Sequence, residues 1–191
     1  MIIVKIGGSL YASPHLKEWC DQLARIHQQT LVIVPGGGPF ADQVRAANKQ
    51  WNLSDAVAHD MAVMAMQQYG CLLANLNGSL KVANSFKDIQ DTGSTIWLPY
   101  SDVISECDYP KNWQTTSDSL ALWLACKLSA NHLCLVKSCE VDDSLIQQLA
   151  DSEQVDGYFS TAARKFLGQT HFYHASQSTK FLNDVNNGKF N

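Results

Sequence analysis

The sequence predicts an α/β protein with a mostly parallel sheet and helices on both faces. Two apolar runs, IIVKI (2–6) and TLVIV (30–34), are typical of strands that are covered on both sides. A stretch with apolar residues at helical spacing lies between them, so the three segments form a βαβ unit. Helical stretches and short apolar runs then alternate along the chain, which is the pattern of a parallel sheet between two helical layers.

Start signals predict the helices of the first half. Ser13 and Pro14 predict a helix that runs to about Gln29, a second helix follows Pro39, and Ser54 caps a longer third helix. The segment 80–99 is less regular. Its short candidate strands are KVA (81–83) and TIWL (95–98).

The second half continues the alternation. Thr116 or Ser117 is expected to cap a helix with the sequence DSLALWLACKLSA, and Ser178 to cap the final helix. The remaining predicted elements are a strand at 132–138, a helix at 143–150 and a late strand at HFYHA (171–175).

Composition limits the classes of function. The chain has 191 residues, of which 46% are hydrophobic, so we expect a single compact domain. A net charge of -4 argues against a broad nucleic-acid-binding face. The longest apolar run, LALWLACKL, is broken by Lys127 and is too short to span a membrane. No secretory signal is visible and the cysteines show no C-x-x-C spacing, so we expect a cytoplasmic protein with no nucleic-acid or membrane partner.

Lys5, Gly7, Gly8 and Ser9 stand at the end of the first predicted strand, in KIGGSL. Ligands of open α/β sheets bind outside the carboxyl ends of the strands. Glycines let backbone N–H groups approach a phosphate, and a nearby lysine adds positive charge. This is not a Walker A loop, because the lysine precedes the glycines. The alternative is a plain tight turn beside a surface lysine.

Gly36, Gly37 and Gly38 follow the second predicted strand, between Pro35 and Pro39. Successive glycines can present their N–H groups to an anion, and the N-terminus of the next helix would favour its negative charge. The alternative is a flexible connection between strand and helix, although such a connection usually needs one glycine.

Asp118 begins a predicted helix in TTSDSLALWLA, and Lys137 and Ser138 end the apolar strand in LVKS. Asp118 or Ser117 could merely cap that helix. Two strand-end lysines, two glycine loops and one carboxylate nevertheless suit phosphoryl transfer, in which catalysis is mainly positioning and stabilisation of negative charge. Asp118 would then hold the ammonium groups in place and would not abstract a proton.

These motifs resemble, in the same order, those of the amino acid kinase superfamily. KIGGSL is similar to its N-terminal K-x-G-G-S loop, VIVPGGGP to its second glycine loop, and TTSDSLALWLA to its S/T-D-x-x-A helix start. LVKSCEVDD resembles the L-x-K-A/S-x-x-V-D-G stretch of the uridylate kinase branch. The resemblance implies a three-layer αβα sandwich with a mostly parallel central sheet, in one domain over residues 1–191.

The resemblance also implies the roles of the site residues. The acceptor would lie over about residues 1–110, against Gly36, Gly37 and Gly38, and ATP over about 111–191. Lys5, Asp118 and Lys137 would be catalytic. Contacts to the nucleotide phosphates would come from Lys5, Gly7, Gly8, Ser9, Lys137 and Ser138. Mg²⁺ would arrive with ATP, so no dedicated protein site for the metal is expected.

The chain departs from the superfamily pattern in two ways. EVDD (140–143) lacks the glycine that usually follows V-D, and the chain is short. Its size and the helix HDMAVMAMQQYGCLLA most resemble the short members linked to methanofuran-type cofactor synthesis in one-carbon metabolism, which phosphorylate an (aminomethyl)furan-methyl phosphate to its diphosphate. Arg45 could then bind the phosphate of the acceptor, or be a solvated arginine on a helix face. His59 could also face the acceptor, although a structural histidine is the favoured interpretation.

Other functions stay open at this point. A nucleoside monophosphate or an isoprenoid phosphate is the alternative acceptor. A non-catalytic nucleotide- or anion-binding protein of the same fold is the alternative from another class. A dinucleotide-dependent oxidoreductase is disfavoured, because no G-x-G-x-x-G follows either early strand. The long apolar middle helix predicts a homo-oligomer.

Overall fold

The computed structural model describes residues 1–139 and 155–190, and these form an α/β fold. Its sheet has six strands in the order β3-β4-β2-β1-β5-β6, and every neighbouring pair is parallel. The strands are β1 (Ile2–Ile6), β2 (Thr30–Pro35), β3 (Lys81–Ala83), β4 (Gly93–Trp97), β5 (His132–Lys137) and β6 (Gln169–His174).

Helices cover both faces of the sheet. They are α1 (Leu16–Ala24), α2 (Gly38–Trp51), α3 (Asp55–Leu76), α4 (Tyr100–Glu106), α5 (Ser117–Lys127), α6 (Phe159–Ala163) and α7 (Ser178–Asn186). Short 3-10 helices occupy Gly8–Ala12, Phe86–Asp88 and Ala175–Gln177.

Alternation along β1 divides the core into two layers. Ile2, Val4 and Ile6 belong to the hydrophobic cluster that contains residues of α1 and α7. Ile3 belongs to the opposite cluster, which contains residues of α5 and α6. A sheet buried between two helical layers is a three-layer αβα sandwich, so the predicted fold class is confirmed.

Several element boundaries differ from the prediction. α1 begins at Leu16, because the Ser13 side chain accepts a hydrogen bond from the His15 N–H in the preceding turn. It ends at Ala24, well before Gln29, whose carbonyl accepts the N–H of Gly93 at the start of β4. α4 was not predicted, and Ser178 is the first residue of α7 and not its cap.

Other local predictions hold. The Ser54 side chain accepts the Val57 N–H and caps α3 as expected. Thr116 occupies the cap position of α5, but its own side chain makes no capping hydrogen bond. The predicted helix at 143–150 and the EVDD stretch lie outside the described residues.

The two glycine loops pack backbone against backbone. A Cβ atom added to Gly36 would lie 2.4 Å from the Gly8 nitrogen, and one added to Gly8 would lie 2.4 Å from the Gly38 nitrogen. Gly38 also has a φ of +54°, which L-residues with side chains rarely adopt. The loops therefore need glycine in order to approach each other at the ends of neighbouring strands.

Gly36→Ala is expected to destabilise the protein by about 1–3 kcal/mol, because the new methyl group must displace the backbone of the other loop. The measurement is the free energy of unfolding from urea titration. Gly78→Ala is the matched control, because nothing lies within 4 Å of its added Cβ atom. Equal stability of the two variants would contradict the close approach of the loops.

Candidate active site

Lys5 and Lys137 extend from neighbouring strands towards the same helix. Lys5 pairs in register with Leu135, so Lys137 lies two residues further along β5 and on the same face. That face carries Ile3 and Leu135, whose cluster includes residues of α5. The sheet therefore directs both lysine side chains at the first turn of α5.

Asp118, in that first turn, binds both lysines. Its Oδ1 lies 2.7 Å from the Lys5 Nζ atom, and its Oδ2 lies 2.6 Å from the Lys137 Nζ atom. All three side chains are buried. The structure thus brings together the three residues that the sequence analysis assigned to catalysis.

The charges in this cluster shift the pKa values of their neighbours in different directions. Burial by itself would raise the pKa of the Asp118 carboxyl, but Lys5 and Lys137 outweigh it and hold the pKa below its ordinary value of 3.8. Burial, together with the charge of Lys5, lowers the pKa of the Lys137 ammonium. Asp118 is a carboxylate with both oxygens occupied, so it is better suited to holding the lysines than to accepting a proton.

A cavity of about 500 Å³ lies beside this cluster. Its lining includes both glycine loops, parts of α2 and α3, and the residues immediately before Asp118. The N–H groups of Gly7 and Gly36 donate to the carbonyls of Val136 and Ile6 and hold the loops to the sheet. Among the described residues, no acceptor binds the N–H groups of Gly8, Gly37 or Gly38. These three N–H groups are therefore the ones available to an anion.

Arg45 lies at the wall of the cavity. Its guanidinium stacks over the Trp113 ring at 5.0 Å and forms an ion pair of 2.7 Å with the Asp42 carboxylate. The side chain is 55% exposed, so it is at once a cavity residue and an exposed arginine on a helix face.

Ser9 and Ser138 meet just beyond the ends of β1 and β5. Their hydroxyl groups are 2.8 Å apart, and the His174 Nε2 atom lies 3.3 Å from the Ser138 carbonyl oxygen. His174 ends β6, in register with Lys137 on β5. The sequence analysis missed His174, although its position at the end of a late strand was a usable signal.

His59 and Thr115 line the cavity with polar atoms that lack hydrogen-bond partners. Both ring nitrogens of His59 and the Thr115 hydroxyl are buried and unbonded within the described part of the chain. The nearest carboxylate oxygen to the His59 Nδ1 atom, on Asp60, is 3.7 Å away. The ring nitrogens of a structural histidine are normally hydrogen-bonded. The described residues form no such bond to His59, so these contacts do not account for a structural role.

Asp156 is the second residue that the sequence analysis missed. Its carboxylate accepts hydrogen bonds from the backbone and side chain of Thr116 and of Ser119, on both sides of Asp118. The tripeptide Val155-Asp156-Gly157 was a signal for it. The superfamily pattern places V-D-G shortly after Lys137, at EVDD, whereas Asp156 lies further along the chain.

The charges and the free N–H groups of the site suit phosphate oxygens. The charges are the two ammonium groups of Lys5 and Lys137, and the free N–H groups belong to the glycine loops. No group of three or more metal-ligating side chains is present in residues 1–139 and 155–190.

A family comparison agrees with this geometry. The model of the amino acid kinase family matches residues 1–112, which contain β1, both glycine loops, α2 and α3. The chain belongs to the amino acid kinase family. The resemblance seen in the sequence motifs is therefore confirmed.

Individual members of the amino acid kinase family resemble the chain to different degrees. The [5-(aminomethyl)furan-3-yl]methyl phosphate kinase of Methanocaldococcus jannaschii is 34% identical over 129 residues, which are 65% of this chain and 59% of that relative. The chain thus spans less than two thirds of the relative's length. Among solved structures, the uridylate kinase of Archaeoglobus fulgidus has a TM-score of 0.70 with 15% identity and 95% coverage of both chains. The UMP kinase of Ureaplasma parvum has a TM-score of 0.64 with 15% identity, covering 98% of this chain and 95% of its own. At such identities the two structures show the fold alone.

No helix in the described ranges of this kinase-family chain has the length and apolar character needed to cross a bilayer.

Asp118→Asn is expected to destabilise the protein by about 3–5 kcal/mol at neutral pH, because it leaves two buried ammonium groups without their counter-charge. The folded-state pKa of Asp118 is depressed, so its stabilisation is present above the ordinary value of 3.8 and is lost as the pH falls through the lower folded-state value. Urea unfolding of the wild type and the variant, at intervals of about one pH unit between about pH 2 and 7, measures the difference in their free energies of unfolding.

The control for this prediction is Glu106→Gln, which removes a surface ion pair of 2.7 Å with Lys127. Its unfolding midpoint should stay close to that of the wild type. If Asp118→Asn also leaves the midpoint unchanged at pH 7, Asp118 does not hold the lysines as described.

Proposed function

We propose that the protein is an ATP-dependent kinase that transfers the γ-phosphoryl group to a phosphomonoester. The acceptor that we propose is an (aminomethyl)furan-methyl phosphate, converted to its diphosphate in the synthesis of a methanofuran-type cofactor. The observation that carries the proposal is the buried Lys5–Asp118–Lys137 cluster beside a cavity lined by two glycine loops. The relative from Methanocaldococcus jannaschii supports the choice of acceptor.

The transfer needs charge stabilisation more than proton chemistry. An oxygen of the acceptor phosphate forms a bond to the γ-phosphorus, and the bond between that phosphorus and the β,γ-bridging oxygen breaks and leaves ADP. The second pKa of a phosphomonoester is about 6. The attacking phosphate oxygen is therefore already ionised at neutral pH and needs no general base. Lys5 and Lys137 would neutralise the charge that spreads over the moving group, and Asp118 would keep their ammonium groups in place.

The two substrates would approach this cluster from opposite sides. The acceptor phosphate would bind the free N–H groups of Gly37 and Gly38, with Arg45 at the cavity wall. The nucleotide phosphates would lie towards Ser9 and Ser138, whose hydroxyl groups are in contact. In the proposed single domain, the acceptor would lie mainly over about residues 1–110 and ATP mainly over about 111–191, with Ser9 reaching the nucleotide from the first part.

The cavity also suits an acceptor with a second polar group. The Tyr69 ring lies beside Gly38, and His59, earlier on the same helix, lines the cavity that Gly37 and Gly38 also line. Burial lowers the pKa of His59, so the ring is neutral near pH 7 and offers a lone pair. His59 and Thr115 would bind a hydrogen-bond donor, such as an aminomethyl group, at the end of the acceptor away from its phosphate.

Mg²⁺ is expected to arrive with ATP and to neutralise phosphate charge there. Asp118 is already occupied by the two lysines, and we assign no protein ligand to the metal. No step of the transfer is derived through it.

A homo-oligomer is the proposed assembly. The outer face of α3 exposes Val57 and Met64, and Trp51 at the end of α2 is also exposed. Apolar side chains of this size suit contact with a second copy of the chain. The cytoplasmic location stays a prediction.

The proposed function is tested by ATP consumption with three acceptors: [5-(aminomethyl)furan-3-yl]methyl phosphate, a nucleoside monophosphate and an isoprenoid phosphate. We expect kcat/KM to be highest for the furan phosphate, by about tenfold or more, because a site that hydrogen-bonds a donor discriminates against acceptors that lack it. Turnover only with a carboxylate acceptor such as acetylglutamate, or with none of them, would contradict the proposal.

Variants in the same assay separate the two sides of the site. Lys5→Ala should lower kcat by about 100- to 1000-fold, because it removes a charge that acts in the transition state. Arg45→Ala should mainly raise the KM of the acceptor. Lys17→Ala, which breaks an exposed ion pair with Asp21 on α1, is the control and should behave as the wild type.

A further inference from the structure

Asp156 ties the first turn of α5 to the start of α6. Its Oδ2 atom accepts the Thr116 N–H at 2.8 Å, the Thr116 hydroxyl at 2.8 Å and the Ser119 N–H at 3.0 Å. Its Oδ1 atom accepts the Ser119 hydroxyl and, at 3.1 Å, the N–H of Phe159. One carboxylate therefore accepts five hydrogen bonds from three residues.

These hydrogen bonds replace a missing helix cap. Thr116 holds the cap position of α5, yet its side chain makes no capping hydrogen bond. Asp156, forty residues further along the chain than Thr116, accepts the Ser119 N–H, which a cap side chain would normally bind, and also the N–H of Thr116 itself. It therefore satisfies donors that α5 leaves open at its N-terminus.

The fixed turn is the one that carries Asp118. Thr116 and Ser119 lie on either side of Asp118 in sequence, and Asp156 holds both. Asp118 must present one oxygen to each lysine, at 2.7 Å and 2.6 Å, so a small rotation of this turn would break one of the two contacts. Burial and the nearby charge of Asp118 raise the pKa of Asp156. Keeping the Asp156 carboxylate ionised at this position therefore costs free energy.

We propose that Asp156 is a positioning residue for phosphoryl transfer, which fixes the first turn of α5 so that Asp118 contacts Lys5 and Lys137 together. This proposal rests on the kinase function proposed above. Asp156 acts through Asp118 and does not itself touch the substrates.

The test is a double-mutant cycle with Asp118→Ala, Asp156→Ala and both changes together. We expect Asp156→Ala to lower kcat by about tenfold or more with a smaller change in the KM of ATP, as for loss of an interaction made in the transition state. If Asp156 acts only through Asp118, the double variant has the same kcat as Asp118→Ala. Losses that multiply, or a wild-type kcat in Asp156→Ala, would overturn the proposal.

Two further variants separate positioning from general loss of stability. Asp156→Asn keeps one carbonyl oxygen for the backbone N–H groups, so it should recover part of the lost kcat. Asp184, on α7, is the control residue. Asp184→Ala removes a carboxylate that accepts hydrogen bonds from Tyr173 and Lys189. It should lower Tm without lowering kcat. If Asp184→Ala lowers kcat as much as Asp156→Ala does, at a temperature where both are folded, the positioning role is excluded.

A measurement of ATP binding tests the positioning role even if the proposed kinase function fails. If the wild type turns over none of the acceptors, the kinase function fails, and the same cycle is measured on the Kd of ATP by calorimetry. Equal Kd values for Asp118→Ala and the double variant, together with weaker binding by Asp156→Ala, would support the positioning role alone. A wild type that neither turns over an acceptor nor binds ATP would overturn both proposals.

Discussion

Two buried ammonium groups share one carboxylate at the centre of this protein. Lys5 and Lys137 carry like charges at the ends of adjacent strands, and their burial is tolerated because Asp118 lies between them. The arrangement requires β1 and β5 to be parallel neighbours in a fixed register, since a slip of one residue would turn a lysine to the other face. It also requires the first turn of α5 to lie over the ends of both strands.

The backbone of the two glycine loops forms another part of the site. Gly8 lies against Gly36 and Gly38 with no space for a Cβ atom, so the two loops form one surface at the end of β1 and β2. The N–H groups of Gly7 and Gly36 hold that surface to the sheet, whereas those of Gly8, Gly37 and Gly38 face no protein acceptor in the described chain. The N–H groups of the glycines thus divide into those that are bonded to the sheet and those that are free to bind an anion.

Local signals made much of the fold predictable. β1, β2 and α3 carry strong apolar runs or a clear cap, and the motifs at their ends lie together because parallel strands finish at one edge of the sheet. The convergence of Lys5, Asp118 and Lys137 followed from that rule. The residues that were missed depend on contacts that are distant in sequence. Asp156 caps a helix forty residues earlier, and α1 ends early because the chain must return to the sheet at β2.

The most direct measurement is a crystal structure with ADP, tetrafluoroaluminate and the furan phosphate acceptor. The account predicts that the planar fluoride group lies within about 3 Å of both the Lys5 and the Lys137 Nζ atoms, with the Gly8 N–H directed at it. The acceptor phosphate would lie against Gly37 and Gly38. A fluoride group bound away from either lysine, or a complex in which Asp118 leaves both ammonium groups to contact the acceptor, would contradict the account.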